Sequence, residues 1–320
     1  MGIKNFMKII KKYSRDSIKI KNIVDYKDKI LGIDAHLLIY KMINAIRKNG
    51  YDIKNGNIII THIHTLLLKF MGFIKYNITP VFVFDGLAPQ IKEETLYKRR
   101  LMHETTQKKY DEAKTEEEKK KYYMRYHISD KELDDCKRLI SIFGYTIIDS
   151  IEEADTQLVE LLNSGKIDYI VTDDMDILVF GGKNILKNFT VSSNKKILEI
   201  SLDKFKADTN LSQQMIIDMS ILIGCDYCIS AHGIGPIKAY KLISEHKSIE
   251  NIIKHVHIDL NVNYKKARQY FLLPNVINSK EIAVNKFNGC DKNGLNKFLK
   301  EFEFRDEYFQ KICKVCCFAH

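Results

Sequence analysis

Three short apolar runs in this chain each end at an acid: Ile30-Leu31-Gly32-Ile33 at Asp34, Val81-Phe82-Val83-Phe84 at Asp85-Gly86, and Tyr169-Ile170-Val171 at Thr172-Asp173-Asp174. A fourth, Tyr145 to Ile148, ends at Asp149. Runs that are continuously apolar, rather than alternating, describe strands covered on both faces, and amphipathic helical stretches lie between them. The pattern predicts an α/β fold with a mostly parallel sheet and helices on both faces. Open sheets of this kind place their ligands at the carboxyl ends of the strands, where Asp34, Asp85 and Asp174 fall.

Further acids gather at the same points. Asp176 stands two residues beyond Asp174, a spacing that turns both side chains to one side if the backbone there is extended. Glu153-Ala154-Asp155 follows the fourth run. In a regular helix that spacing would put the two acids on nearly opposite faces, so they are expected in the turn that opens the helix, with Ser150 and Glu153 forming a capping box. Asp226 follows the apolar helix Ile216–Ile223 and Gly224. A single strand-end Asp is more often a helix cap or turn former. Four such clusters would repel one another without a cation, and oxygen-only donors suit Mg2+ or Mn2+.

The chain has 320 residues, 45% hydrophobic and 29% charged, enough to bury a large core. Four Pro and 15 Gly argue against collagen-like, linker-rich or many-turned all-β designs. Lys and Arg number 51 against 41 Asp and Glu, a net charge of +10 that favours a polyanionic partner, nucleic acid or an anionic membrane. An acidic metal-binding hollow inside a basic chain suits metal-assisted phosphodiester hydrolysis. Met1 to Lys12 holds no apolar export signal, and the Gly2 myristoylation motif fails at Phe6. The most apolar stretch, Ile58–Ile74, is broken by Thr61, His62, His64 and Lys69 and reads as a buried helix, not a membrane span. Seven Cys without an export signal are expected to be reduced thiols, and the protein to be intracellular.

Gln90 to Lys131 is nearly all Lys, Arg, Glu, Gln, Tyr and Thr. It reads either as a solvated helical pair or flexible insertion, or as a basic helical arch over an anionic substrate. Beyond Asp226 the chain looks helical to its end. Gly233-Ile234-Gly235-Pro236 is a tight turn before a helix carrying Lys238 and Lys241, a hairpin of the kind that grips phosphates through backbone N–H groups.

At these residues the sequence resembles the flap endonuclease branch of the structure-specific 5′ nuclease (XPG/Rad2-type) superfamily. The motifs are Val83-Phe84-Asp85-Gly86, Glu153-Ala154-Asp155, Thr172-Asp173-Asp174-Met175-Asp176, Gly224-Cys225-Asp226-Tyr227-Cys228 and Gly233-Ile234-Gly235-Pro236, spread over nearly the whole chain. The resemblance implies two Mg2+ (or Mn2+) ions, with Asp34, Asp85, Glu153 and Asp155 in the first group of ligands and Asp174, Asp176 and Asp226 in the second. It implies that Lys92 and Arg99 neutralise charge on the scissile phosphate, with Asp34, Asp85 and Asp176 at the chemistry. Tyr40 falls on a position that stacks on a nucleotide, and Arg47, Thr61 and Arg100 on DNA-contacting positions. Ser230 to Lys241 corresponds to a helix–two-turn–helix, where K+ and the amides of Ser230, Gly233, Ile234 and Gly235 hold the duplex with Lys238 and Lys241. Gly2 would lie near the active site. The implied organisation is a nuclease region at 1–89, an arch at 90–131, a second nuclease region at 132–226 and a helical DNA-binding region at 227–320, one compact nuclease domain overall.

Several positions depart from the family pattern. Asp155 stands where Glu is common, Ile237 where a basic residue is common, and Leu87-Ala88-Pro89 replaces a more basic or Pro-rich stretch. Gln310 is followed by Cys313 and Cys316-Cys317, so the usual sliding-clamp box is not evident. The expected partner is branched or nicked double-stranded DNA, with no membrane, and the expected state a monomer. Richness in Lys, Ile and Asn suggests an AT-rich genome, with a nuclear site for a cellular eukaryote and a cytoplasmic replication site for a cytoplasmic DNA virus. The rival readings are a double-strand 5′ exonuclease of recombination or mismatch repair, an RNA-processing 5′ nuclease, and a catalytically silent DNA-binding scaffold. Cys225-x-x-Cys228 with Cys313-x-x-Cys316 would be a zinc alternative but lacks matching His spacing, and His62 and His64 share no helix face.

Overall fold

The computed structural model describes residues 3, 5–123, 128–192, 194–260 and 263–317, so Gly2 lies outside the described residues. Among the described residues the strands are β1 (Ile18–Lys21), β2 (Ile30–Asp34), β3 (Lys54–Asn55), β4 (Ile58–Ile59), β5 (Thr79–Phe84), β6 (Thr146–Asp149), β7 (Tyr169–Val171), β8 (Asn184–Lys187) and β9 (Ile197–Ser201). Seven form one sheet in the order β1-β9-β8-β7-β2-β5-β6, and β3 with β4 makes a small separate hairpin. The pairs from β8 through β6 are parallel, while β9 pairs antiparallel with β8 and β1. The α/β expectation, a mostly parallel sheet with helices on both faces, is borne out.

Alternation along the central strands divides the core in two. On β5, Val81 and Val83 point into one layer with Leu158 and Ile216, while Phe82 and Phe84 point into the other with Phe70 and Phe73. Every residue of β5 is buried, which is why the run had to be continuously apolar. Gly32 on β2 lets helix Ala154–Asn163 close onto the sheet: a Cβ there would stand 2.7 Å from Leu158 and 2.3 Å from Ile167.

The chain winds from β2 through β5 to β6 on one side, then returns to the other side of β2 with β7 and β8. The strand order reverses at β2, and the crevice at such a switch point opens at the carboxyl ends. Register aligns those ends: Asp34 pairs with Val83, Ile33 with Val171 and Phe84 with Asp149.

The charged segment after β5 forms helices Glu93–Glu112 and Glu116–Tyr123. Of the apolar stretch Ile58–Ile74 read as a buried helix, Ile58–Ile59 form β4 and the residues from Thr61 belong to helix Thr61–Lys75; no helix among the described residues is long and apolar enough to cross a membrane. Past Asp226 the expectation of helix to the end holds only in part. Helices Pro236–His246, Ile249–His255 and Tyr264–Leu272 are followed by an irregular stretch relieved by the turn Ser279–Glu281 before helices Lys292–Glu301 and Asp306–Cys317.

Candidate metal centre and nuclease site

Each acid reaches the crevice by a different local device. Asp34 ends β2 and caps helix Ala35–Arg47, its Oδ1 accepting the Leu37 N–H at 2.9 Å. It serves as a cap and faces the cluster as well. Asp85 follows β5, where its Oδ1 accepts the Ala154 N–H at 2.8 Å and so closes the first turn of helix Ala154–Asn163 from across the sheet. Gly86 makes that turn possible, since a Cβ there would stand 1.9 Å from the Ser150 carbonyl oxygen. The expected Ser150–Glu153 capping box is absent: the Ser150 hydroxyl donates to the Phe84 and Glu152 carbonyls, and Asp85 takes over the capping role. Glu153 is thereby left free to point into the crevice.

Asp174 and Asp176 converge by another route than the extended backbone expected. Met175 is helical (φ −90°, ψ −7°), and Asp176 opens the short helix Asp176–Val179 with its N–H on Asp174 Oδ1 at 3.0 Å. Asp176 is 3% exposed, and its Oδ1 accepts the Ile3 N–H at 2.8 Å, which ties the N-terminal segment to the site. Asp226 follows Gly224, whose φ of +94° ends helix Gln213–Ile223 in a conformation that favours glycine.

The electrostatics show a single cluster. Burial, then Asp85, lifts the Asp34 pKa to about 7. Burial, then Asp174, Asp34, Asp176 and Glu153, raises Asp155 far above the carboxylate range, and its buried Oδ1 has no hydrogen-bond partner. Burial, then Asp174 and Asp226, does the same to Asp176. Asp85 goes the other way: burial would raise it, but a hydrogen bond from His36, the Ala154 N–H and nearby Lys92 hold it below its ordinary value. An orphaned carboxylate oxygen among mutually repelling acids fits a hard divalent cation. Among the described residues no three donors already close into a coordination sphere. The negative charge is met instead by cations from the arch, as Lys92 pairs with Glu153 and, at 3.3 Å, with Asp226. Arg99 pairs with Asp226 at 2.6 Å, and the Thr95 hydroxyl donates to the Asp226 carbonyl. The arch helix is thus seated on the acids by three residues one turn apart.

Of the other candidates, Tyr40 is 39% exposed, and Arg100 is exposed on the arch helix beside Leu96 and Tyr97. Ser230, Gly233 and Gly235 are exposed around a hollow of about 640 Å³ lined by residues 229 to 235 and Asp259. Ile234 buries its side chain there and donates its N–H to the Ala231 carbonyl. Lys238 folds back to the Gly233 carbonyl at 3.4 Å, and Lys241 is exposed.

Arg47 and Thr61 require correction as surface contacts. Arg47 is 3% exposed, with its guanidinium on Asp52 and Glu132, and Thr61 is fully buried, donating to Asp52. Both lock the loop between helices Ala35–Arg47 and Thr61–Lys75. Among the described residues no Cys and His group is arranged to hold a zinc ion: Cys225 and Cys228 bridge by backbone, and Cys290 lies against Cys316 at 3.7 Å. Sequence reasoning missed His36, with its Nδ1 3.2 Å from Asp85, and a basic flank where Lys41 and Lys187 share Asp173. Lys69 lies on the same flank over Phe189, its pKa pushed down to about 8 by burial and then by Lys41 and Lys195. The overall +10 hinted at such a surface without locating it.

Residues 1–106 match the XPG N-terminal domain and residues 144–226 the XPG I-region. Flap endonuclease 1 of Entamoeba histolytica is 33% identical over 324 residues, an alignment covering 97% of this chain and 86% of that protein. The chain belongs to the flap endonuclease branch of the XPG/Rad2 superfamily. Its fold matches the catalytic core of Rad2 in complex with DNA substrate (TM-score 0.76, 20% identity, 100% of both chains). It also matches flap endonuclease-1 from Methanococcus jannaschii (TM-score 0.68, 24% identity, 95% of this chain and 97% of that one).

Proposed function

We propose that the chain cuts DNA 5′ flaps and junctions by metal-assisted phosphodiester hydrolysis, leaving a 5′-phosphate and a 3′-hydroxyl, with 5′ exonuclease activity at nicks and gaps. The observation that carries this reading is the convergence of Asp34, Asp155, Asp174 and Asp176 on one crevice into which Lys92 and Arg99 reach from the arch. Two divalent cations, Mg2+ or Mn2+, held by Asp34, Asp85, Glu153, Asp155, Asp174, Asp176 and Asp226, would supply an activated water and charge stabilisation at the leaving oxygen. Lys92 and Arg99 offset negative charge on the scissile phosphate. Tyr40 gives the adjoining nucleotide a stacking face. Lys41, Lys69 and Lys187 offer backbone phosphates a basic wall beside Asp173. The exposed backbone of Ser230, Gly233 and Gly235, with Lys238, Lys241 and K+, grips the duplex away from the cut.

Two experiments bear on this reading. On a 5′-labelled double-flap DNA beside a nicked duplex, one short flap product ending in a 3′-hydroxyl is expected, formed faster than any product from the nick. A ladder of small products from the nicked duplex would instead mark an exonuclease. The second concerns pH. Because the folded pKa of Asp34 lies above its ordinary value, the native state binds the extra proton, and this group's contribution to stability falls as pH rises from about 4 to about 7. A divalent cation must displace that proton, so Mg2+ should barely shift the melting temperature at pH 5.5. At pH 8 it should stabilise by about 2.7 kcal/mol at a concentration 100 times Kd. Thermal melts with and without Mg2+ across this range check it, and equal stabilisation at both ends would refute it.

A further inference from the structure

The inference concerns Glu153 and rests on the metal reading above. Its side chain is 12% exposed and both its oxygens are engaged. Oε1 takes Lys92, while Oε2 accepts the Tyr227 hydroxyl and, at 3.3 Å, the Tyr270 hydroxyl. The two phenols arrive from separate elements. Tyr227 follows Asp226 in the turn after helix Gln213–Ile223, and Tyr270 stands in helix Tyr264–Leu272, 117 residues along the chain from Glu153. Their rings pack 4.8 Å apart in an aromatic block with Phe180 and Phe271.

A phenylalanine would fill the ring positions of this block equally well. What the hydroxyls add is direction. A Glu side chain has three rotatable bonds, and a ligand free to swing loses entropy when a cation fixes it. Two O–H donors on one oxygen hold the carboxylate plane and leave the other oxygen facing the crevice, where Lys92 now meets it. We propose that Tyr270, together with Tyr227, is a positioning residue for Glu153: the paired hydroxyls fix Oε2 and aim Oε1 at the divalent cation, so helix Tyr264–Leu272 helps set the affinity of the metal centre. Hydrogen-bonded partners of metal ligands act in this way in general, and their loss costs about 10–100-fold in affinity or activity.

The test uses the full chain with Mg2+ alone and no nucleic acid, by isothermal titration calorimetry. Tyr270→Phe should raise the Mg2+ Kd by about ten-fold and leave the metal-free melting curve close to that of the parent. Tyr227→Phe should act in the same direction and provides a second reading should either variant fold poorly. Glu153→Gln supplies the discriminating background: once the carboxylate is gone, adding Tyr270→Phe should change Kd by less than about two-fold, because the phenol acts through Glu153. An unchanged Mg2+ Kd in Tyr270→Phe, with Glu153→Gln weakened, would overturn the proposal. So would an undiminished ten-fold loss in the Glu153→Gln background, which would mark Tyr270 as structural. Unchanged affinity in Glu153→Gln itself would remove Glu153 from the metal set and overturn the proposal, with flap cleavage judged separately on labelled DNA.

Discussion

Asp176→Asn should slow Mg2+-dependent cleavage by about 10³-fold or more, equivalent to about 4 kcal/mol of transition-state stabilisation, while changing DNA affinity by less than about three-fold. The substitution is close to isosteric, and the Asn carbonyl oxygen can still accept the Ile3 N–H that now sits 2.8 Å from Oδ1. The N-terminal segment should therefore keep its place, and a buried side chain is replaced without a cavity. What disappears is a carboxyl group whose charged form is disfavoured by burial, then by Asp174 and Asp226, and that only a cation would hold ionised. Removing it eases the metal-free protein and weakens the cation site, so the variant should melt no lower than the parent without metal and gain less on adding Mg2+. Single-turnover rates with enzyme in excess, beside a binding isotherm, separate the two effects. Parent-like cleavage would place Asp176 outside the chemistry.

Lys92→Ala should reduce the single-turnover rate by about 10²–10³-fold without raising the Mg2+ requirement. Lys92 is held charged: burial works against its protonation, but Glu153 and Asp226 outweigh that and keep its pKa above the ordinary lysine value. It lies over the Tyr227 ring at 5.6 Å, at the foot of the arch. On the proposed reading, losing the ammonium removes positive charge facing the scissile phosphate; it also leaves Glu153 and Asp226 less neutralised, so cation binding should not weaken. This sets Lys92 apart from the acids, whose loss lowers metal affinity and rate together. Arg99 shares Asp226 with it, so the double variant should lose less than the sum of the single losses. A Lys92→Ala enzyme with the parent's rate would reduce these ion pairs to a structural role.

Much of the site was legible because burial writes itself plainly into a parallel sheet. Asp34, Asp85 and Asp174 stand out because the runs before them are covered on both faces, as the wholly buried β5 shows. The arch was harder, since Glu93–Glu112 and Glu116–Tyr123 have no apolar stripe to reveal a helix, and its cations find their acids only in three dimensions. What escaped was partner choice across long separations. Ser150 and Glu153 have the spacing of a capping box, yet the cap comes from Asp85, 69 residues away. Arg47 sits at a position the family resemblance assigns to duplex contact, but Glu132, 85 residues on, and Asp52 draw it inside. Tyr270 has no local pattern that announces its contact with Glu153. A tyrosine on an amphipathic helix reads as packing until the fold brings a carboxylate to it.

The most direct test of the central claim is cleavage of a labelled 5′ double-flap DNA by the unmodified chain, with Mg2+ or with a chelator. The account predicts one short flap product with Mg2+ and none with the chelator, at equal occupancy of the DNA. Tight binding without cleavage in either Mg2+ or Mn2+ would contradict it and leave a DNA-binding scaffold built on a nuclease fold.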